Sequence, residues 1–251
     1  MALVPIDVAL VLPEFLRVQA VACSALLSEK MKAGGSTSRF RLGEPFQGEG
    51  GELCEPHVSL FMLAVDEGET GGVACSVEQI AKTLPPLEAE GAEYRYNAYG
   101  AVEVYFTKSE EWCALQHAVI RSVEPLRRGR LREMDPCGAR IRDLVANTSQ
   151  DDSRRQQLVR YGYDEVADGQ NGGHDRFNPH ITLAWPCDRD CRVALDGLPD
   201  PRSFSGLLTE LGVFGMSSYG TCTKNYGVFT VGTAGSVSAR MERERVVSRG
   251  R

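Results

Sequence analysis

The chain has 251 residues, a formal net charge of −6 at pH 7, 42% hydrophobic and 25% charged residues, the balance of an ordinary soluble globular protein with room for one large domain or two small ones. An acidic chain with no long basic tract weakly disfavours extended DNA or RNA binding, while leaving open a small anionic ligand or an RNA end held by a few local cations. Its apolar start, MALVPIDVALVLPEFLRVQAVACSALL, is broken by Asp7, Glu14 and Arg17; it lacks the length of a membrane span and the basic head of an export signal, so no membrane partner and a cytoplasmic location are expected.

In chain order, the β-branched and aliphatic run at 6–12, stopped by Pro13, predicts a strand. Apolar residues at helical spacing from Phe15 to Leu26 predict a helix over 14–33, closed by Gly34-Gly35. A short strand is expected at 38–43, then a Gly- and Glu-rich loop at 43–55 leading into the strand EPHVSLFML. After the turn DEGETGG, VACSVEQIAKTL reads as a helix ended by Pro85-Pro86, and AEYRYNAYGAVEVYF as a hairpin turning at Asn97 to Gly100. Ser109 with Glu110 and Glu111 opens a helix that runs to about residue 126. Residues 127–163 are the least patterned and predict one or two polar helices. A loop, DGQNGGHD, precedes the strand NPHITLAWP, and two strands around a Gly- and Ser-rich turn complete the pattern. Strands and helices do not alternate strictly, which excludes a doubly wound parallel sheet and favours an α+β fold with two related halves. The expected organisation is one domain over residues 1–240 with a helical insertion near 130–170, followed by a charged tail at 241–251.

Eight cysteines are spread along the chain, and only Cys187 and Cys191 lie close together, with no second pair at zinc-ligand spacing. Scattered buried thiols are expected, with no disulfide, no metal and no cofactor.

The informative feature is a repeat. Pro56-His57-Val58-Ser59-Leu60 and Pro179-His180-Ile181-Thr182-Leu183 share one pattern, and they hold two of the four histidines. In a strand, residues i and i+2 point to one face, so each copy presents an imidazole beside a hydroxyl while Val58 and Ile181 enter a core. Brought together, two imidazoles and two hydroxyls suit an in-line displacement at phosphorus. One neutral imidazole takes a proton from the attacking oxygen, a protonated one supplies the leaving oxygen, and the hydroxyls hold the non-bridging oxygens.

These two H-x-[S/T]-aliphatic motifs, together with RYGYDE…FNPHITLAW and LGVFGMSSYGTCTK, resemble the two-histidine (2H) phosphoesterase superfamily, the LigT-like or "2′-5′ RNA ligase" proteins. The resemblance implies two pseudo-symmetric lobes of antiparallel sheet with flanking helices and a cleft between them. It also implies a metal-independent hydrolase acting on cyclic (2′,3′-type) or 2′-5′-linked phosphodiesters of nucleotides or RNA ends. His57 and His180 match the catalytic positions, Ser59 and Thr182 the substrate-binding ones, and Tyr219, Thr221 and Lys224 fall on the turn that the family places near the cleft. Ser59 stands where Thr is commoner, and the separation of the motifs is long for the family, in keeping with an insertion. Two other readings stay open: the same fold serving a non-nucleotide ligand in a biosynthetic or regulatory role, and a non-catalytic RNA-end binding module.

Elsewhere, His117 is expected on a helix surface or in satisfied packing, and His174 in a solvated loop. Tyr99 and Tyr105 are open to two readings, a face for stacking a base or packing in the core or hairpin. Arg127, Arg128, Arg130 and Arg132 are expected on a solvated linker.

Overall fold

The computed structural model describes residues 2–46, 52–147, 152–167 and 175–232. The expected loop histidine His174 and the tail at 241–251 lie outside them. The first unit is a strand β1 (Leu3–Val11), a helix α1 (Glu14–Ala33) and a strand β2 (His57–Asp66) that returns antiparallel beside β1. Proline starts the helix: Pro13 is extended, and its carbonyl accepts from Leu16 and Arg17. A 3₁₀ turn at Glu67–Glu69 leads into α2 (Thr70–Ala81), so the helix begins inside the stretch expected to be a turn.

The second unit repeats the plan. A short strand β3 (Leu87–Ala89) precedes it. β4 (Gly91–Tyr96) and β5 (Val102–Phe106) form the expected hairpin, α3 (Glu110–Arg127) follows, and β6 (His180–Ala184) returns antiparallel beside β5. The polar helices α4 (Ile141–Ala146) and α5 (Asp152–Tyr161) fall within the stretch between α3 and β6. A short strand β7 (Gly206–Leu208) pairs with β3. The chain then adds β8 (Glu210–Met216) and β9 (Cys222–Thr230) to the first sheet. The expected strand at 38–43 is reduced to a single bridge between Ser38 and Pro186.

The result is an α+β protein of two lobes, one sheet in the order β2-β1-β8-β9 and the other β4-β5-β6. Two helices cross over: α1, which follows a strand of the first sheet, packs on β6 of the second, and α3 packs on β2 of the first, while α2 stays on its own sheet against β8 and β9. The two strands that begin with histidine are therefore edge strands of different sheets, and they approach each other across the seam. The core that fixes this arrangement is continuous, running from Ile6, Val8 and Leu10 through Leu16 and Leu27 to Trp112, Ile181 and Leu183. Burying such side chains stabilises the fold by roughly 1.5–3 kcal/mol each. Among the described residues, no helix is long and apolar enough to cross a membrane.

The arginines at 127–132 are not a solvated linker. Arg127 and Arg132 are buried, Arg127 pairs with Glu124, and Arg130 reaches Asp66 and Glu69. Of the eight cysteines, expected to be buried, only Cys23, Cys54 and Cys222 are.

Candidate active site

Along β2 the residues from His57 to Leu60 alternate between half-buried and buried, and β6 repeats the pattern from His180 to Leu183. His57 and Ser59 thus share one face, as do His180 and Thr182. Both faces open on one cleft of about 510 Å³, lined by all four residues and by Tyr99, Tyr105, Glu165, Trp185 and Tyr219.

The two imidazoles are anchored alike. Nδ1 of His57 lies 2.7 Å from the carbonyl oxygen of Glu55, and Nδ1 of His180 lies 2.7 Å from that of Asn178. A carbonyl only accepts, so the proton sits on Nδ1 in both rings and Nε2 is the working nitrogen. Each Nε2 then meets an acid from the neighbouring strand. Asp7 Oδ2 of β1 is 3.5 Å from His57, and Glu103 Oε1 of β5 is 3.7 Å from His180. The acids are not equivalent in register: Glu103 stands opposite Thr182, whereas Ala9 stands opposite Ser59 and Asp7 opposite Met62, with a bulge beside Ala9 and beside Glu103.

The acids are held differently. Asp7 is fully buried; it accepts from Ser59 Oγ at 2.6 Å, and the thiol of Cys222 points to the same oxygen at 3.7 Å. Burial pushes its carboxyl up against the opposing pull of His57 and Ser59. Glu103 accepts from Asn97 Nδ2 at 2.6 Å and from the Tyr105 hydroxyl. Asn97 also closes the hairpin, accepting the backbone N–H groups of Tyr99 and Ala101 on its side-chain oxygen.

A third carboxyl completes the His180 side. Burial raises Glu165 to about 7, although the charge of His180 pulls it down. Burial lowers His180, but the carboxylates of Glu103 and Glu165 outweigh it and raise the imidazole above its ordinary value. Glu165 is positioned by two buried glutamines. Gln116 of α3 donates to the carbonyls of Leu60 and Glu165 and accepts the N–H of Ala167, while Gln157 of α5 clasps both polar groups of the Val166 backbone. His117, next in α3, donates to the Ala167 carbonyl and is a packing residue.

The aromatic wall is Tyr99 stacked on Trp185, with interplanar angle 24°, and Trp185 against Tyr219 at 5.8 Å between centroids. Tyr219 has a left-handed backbone, φ 65°, unusual for an aromatic residue. Its hydroxyl accepts from Arg39 at 2.7 Å. Thr221 also lines the cleft, but its hydroxyl donates to the Ser218 carbonyl at 3.0 Å and closes that turn. Lys224 is not brought to the cleft. A register irregularity between Gly215 and Met216 breaks the alternation after Cys222, and the ammonium lies 5.1 Å from the Tyr226 ring centroid at the surface.

Sequence reasoning missed Asp7, Glu103 and Glu165. The first two carried a signal: each is a lone acid in an otherwise apolar strand, IDVALVL and VEVYF, where an unpaired charge is costly. The absence of ligand spacing along the chain also did not prevent the fold from gathering a mixed set. Asp7, His57 and Cys222 each place one donor atom within 4.8 Å of the others.

No protein-family model matches the chain, and no curated protein matches it by sequence. Solved structures do. A crystal structure of a phosphoesterase aligns with TM-score 0.50 and 14% identity, covering 92% of this chain and 99% of that one. E. coli LigT complexed with NADP+ aligns with TM-score 0.49 and 13% identity over 92% and 99% of the two chains. TT0787 of Thermus thermophilus aligns with TM-score 0.48 and 17% identity over 91% and 98%. At 14% identity the likeness to the phosphoesterase structure is one of fold alone.

Proposed function

We propose that the protein is a cytoplasmic hydrolase of small cyclic 2′,3′-type or 2′-5′-linked phosphodiesters, with His57 and His180 as an acid–base pair that needs no metal. One observation carries this reading: two strands in equivalent positions of two lobes aim matched imidazoles, with matched Nδ1 anchors, into one cleft. The surroundings favour a division of labour. Two carboxylates face His180 and keep it protonated, which suits the general acid; His57 is then the base. In hydrolysis of a cyclic diester, water attacks phosphorus and gives its proton to Nε2 of His57. The P–O bond to the ribose breaks, and Nε2 of His180 protonates the departing oxygen, leaving a monoester. Thr182, and Ser59 once its hydroxyl leaves Asp7, hold the non-bridging oxygens. The Tyr99–Trp185–Tyr219 wall offers a nucleobase a stacking surface.

The cleft itself is acidic. Glu55, Glu103, Asp135, Asp164, Glu165 and Asp175 line it against Arg154 and Arg176, and Arg154 is engaged by Asp135 and Asp164. Such a lining disfavours polyphosphates and long RNA and favours a substrate with a single negative charge. It also supports a second reading, a diester whose organic part is neutral or cationic rather than a nucleotide. Incubation with 2′,3′-cyclic nucleotides, 2′-5′ dinucleotides and short cyclic-phosphate RNAs tests the proposal. Monoester product from the small substrates is expected, and no turnover of any of them overturns it.

A further inference from the structure

Asp7, His57 and Cys222 come from three strands of the first lobe and meet beneath the cleft. Two edges of this triangle have the lengths a metal site would give them, and all three donors lie within 4.8 Å of one another. Tetrahedral zinc sites have bonds of about 2.0–2.3 Å, which set neighbouring donors about 3.3–3.7 Å apart. Here Nε2 of His57 is 3.5 Å from Asp7 Oδ2, and Sγ of Cys222 is 3.7 Å from the same oxygen. The imidazole is already prepared. Its Nδ1 proton is fixed on the Glu55 carbonyl, the arrangement that typically orients a metal-binding histidine, and the Nε2 lone pair faces the other two donors. A second sign is independent of that geometry: Asp7 Oδ1 is buried and has no hydrogen-bond partner among the described residues. A carboxylate and a thiolate would also neutralise a divalent ion, which a site with both anionic ligands fully buried requires.

We propose that Asp7, His57 and Cys222 form a site for a divalent transition metal such as Zn²⁺, and that its occupation switches the enzyme off. The inhibitory half rests on the reading of His57 as the base, because the metal takes the lone pair that would accept the proton. The thiol gives up its proton to solvent as sulfur binds the ion. The ion enters from the cleft, which His57 and Ser59 line and which Asp7 and Cys222 do not, so the fourth position faces the substrate. A soft thiolate and an imidazole select zinc, cobalt or copper over magnesium and calcium.

Cobalt titration of the full chain tests the site without reference to catalysis. Co²⁺ alone should give a thiolate-to-cobalt absorption band in the near ultraviolet, saturating at one ion per chain and displaced by Zn²⁺. Cys222→Ser should abolish the band, and His57→Ala should weaken binding at least tenfold. His57 is half-buried, so its variant keeps the test open if the buried cysteine variant does not fold. Absence of the band in the wild-type protein, or its persistence in Cys222→Ser, overturns the site. In parallel, Zn²⁺ should inhibit hydrolysis of a 2′,3′-cyclic nucleotide in the wild type but not in Cys222→Ser, whose metal-free turnover is retained. Zinc binding that leaves turnover unchanged overturns the switch. Absence of turnover in metal-free protein defeats the catalytic reading instead, and the cobalt band still decides the site.

Discussion

Glu103 stands opposite Thr182 in the β5–β6 register, and its carboxylate reaches to 3.7 Å from Nε2 of His180. The acid is 3% exposed and lies on the strand beside the histidine, where its charge acts on the imidazole. Glu103→Gln keeps the shape and removes the charge. His180 should then lose its proton at lower pH, and the alkaline limit of activity should move down. A Gln amide cannot accept from both Asn97 and Tyr105 without loss, so a destabilisation of about 1–3 kcal/mol is also expected. The pH–rate profile separates the two effects, because a merely structural loss lowers activity at every pH and leaves the limit in place.

Glu165 gives a sharper sign. Its carboxyl is raised to about 7 chiefly by burial, so the folded state holds the proton longer than the unfolded chain does. A group raised in this way contributes stability that is complete below its unfolded value and is lost as the pH rises through about 7. Glu165→Gln removes that dependence. The variant should match the wild type near pH 4 and be the more stable of the two above neutrality, as thermal melts at the two pH values will show. Its alkaline activity limit should also fall, since one of the two charges that keep His180 protonated is gone.

Gln116 joins the lobes through three hydrogen bonds, to Leu60 of β2 and to Glu165 and Ala167. Gln116→Ala strands buried backbone groups at about 1–3 kcal/mol apiece, so a loss of roughly 3 kcal/mol is expected after partial relaxation. Denaturant unfolding measures it. Because the same bonds aim Glu165, the residual activity should show the shifted alkaline limit of Glu165→Gln; an unshifted limit would mean that Gln116 serves stability alone.

The motif strands were legible because strand periodicity is short-range: the 57/59 and 180/182 pairs face the cleft, with Val58 and Ile181 in the core, as alternation requires. The same holds for the helix over 14–33 and the hairpin at 92–106. What the chain does not display is register. The acids reach the histidines from different register positions, Glu103 opposite Thr182 and Asp7 opposite Met62, beside bulges that no local pattern announces. One such irregularity also carries Lys224 away from the cleft. The arginines at 127–132 read as a polar linker because their acidic partners, Asp66 and Glu69 among them, lie more than half a lobe earlier in the chain. The helices α4 and α5 carry a small apolar cluster of Ile141, Leu144 and Leu158 that is separate from the main core, which is why their pattern is faint.

The decisive test of the pair is a cycle of substitutions at the histidines. A positioned proton transfer contributes about 10²–10⁴-fold, so His57→Ala and His180→Ala should each lose activity on that scale. The two act in one transition state, and the double variant should lose far less than the product of the single losses. Neither imidazole sits in the apolar core, their side chains being 13% and 18% exposed, so the variants should fold and their thermal melts should stay close to that of the wild type. The hydroxyls provide a graded comparison. Thr182→Ala removes a hydrogen bond to a charged oxygen, on the order of 1.5–3 kcal/mol, whereas Ser59→Ala also deprives the buried Asp7 of a donor at 2.6 Å and should cost stability as well as rate. Metal-free buffer with a chelator should leave wild-type turnover intact or raise it. Full activity in the double histidine variant would refute acid–base catalysis by this pair, and the matched strands would then record only the kinship of the two lobes.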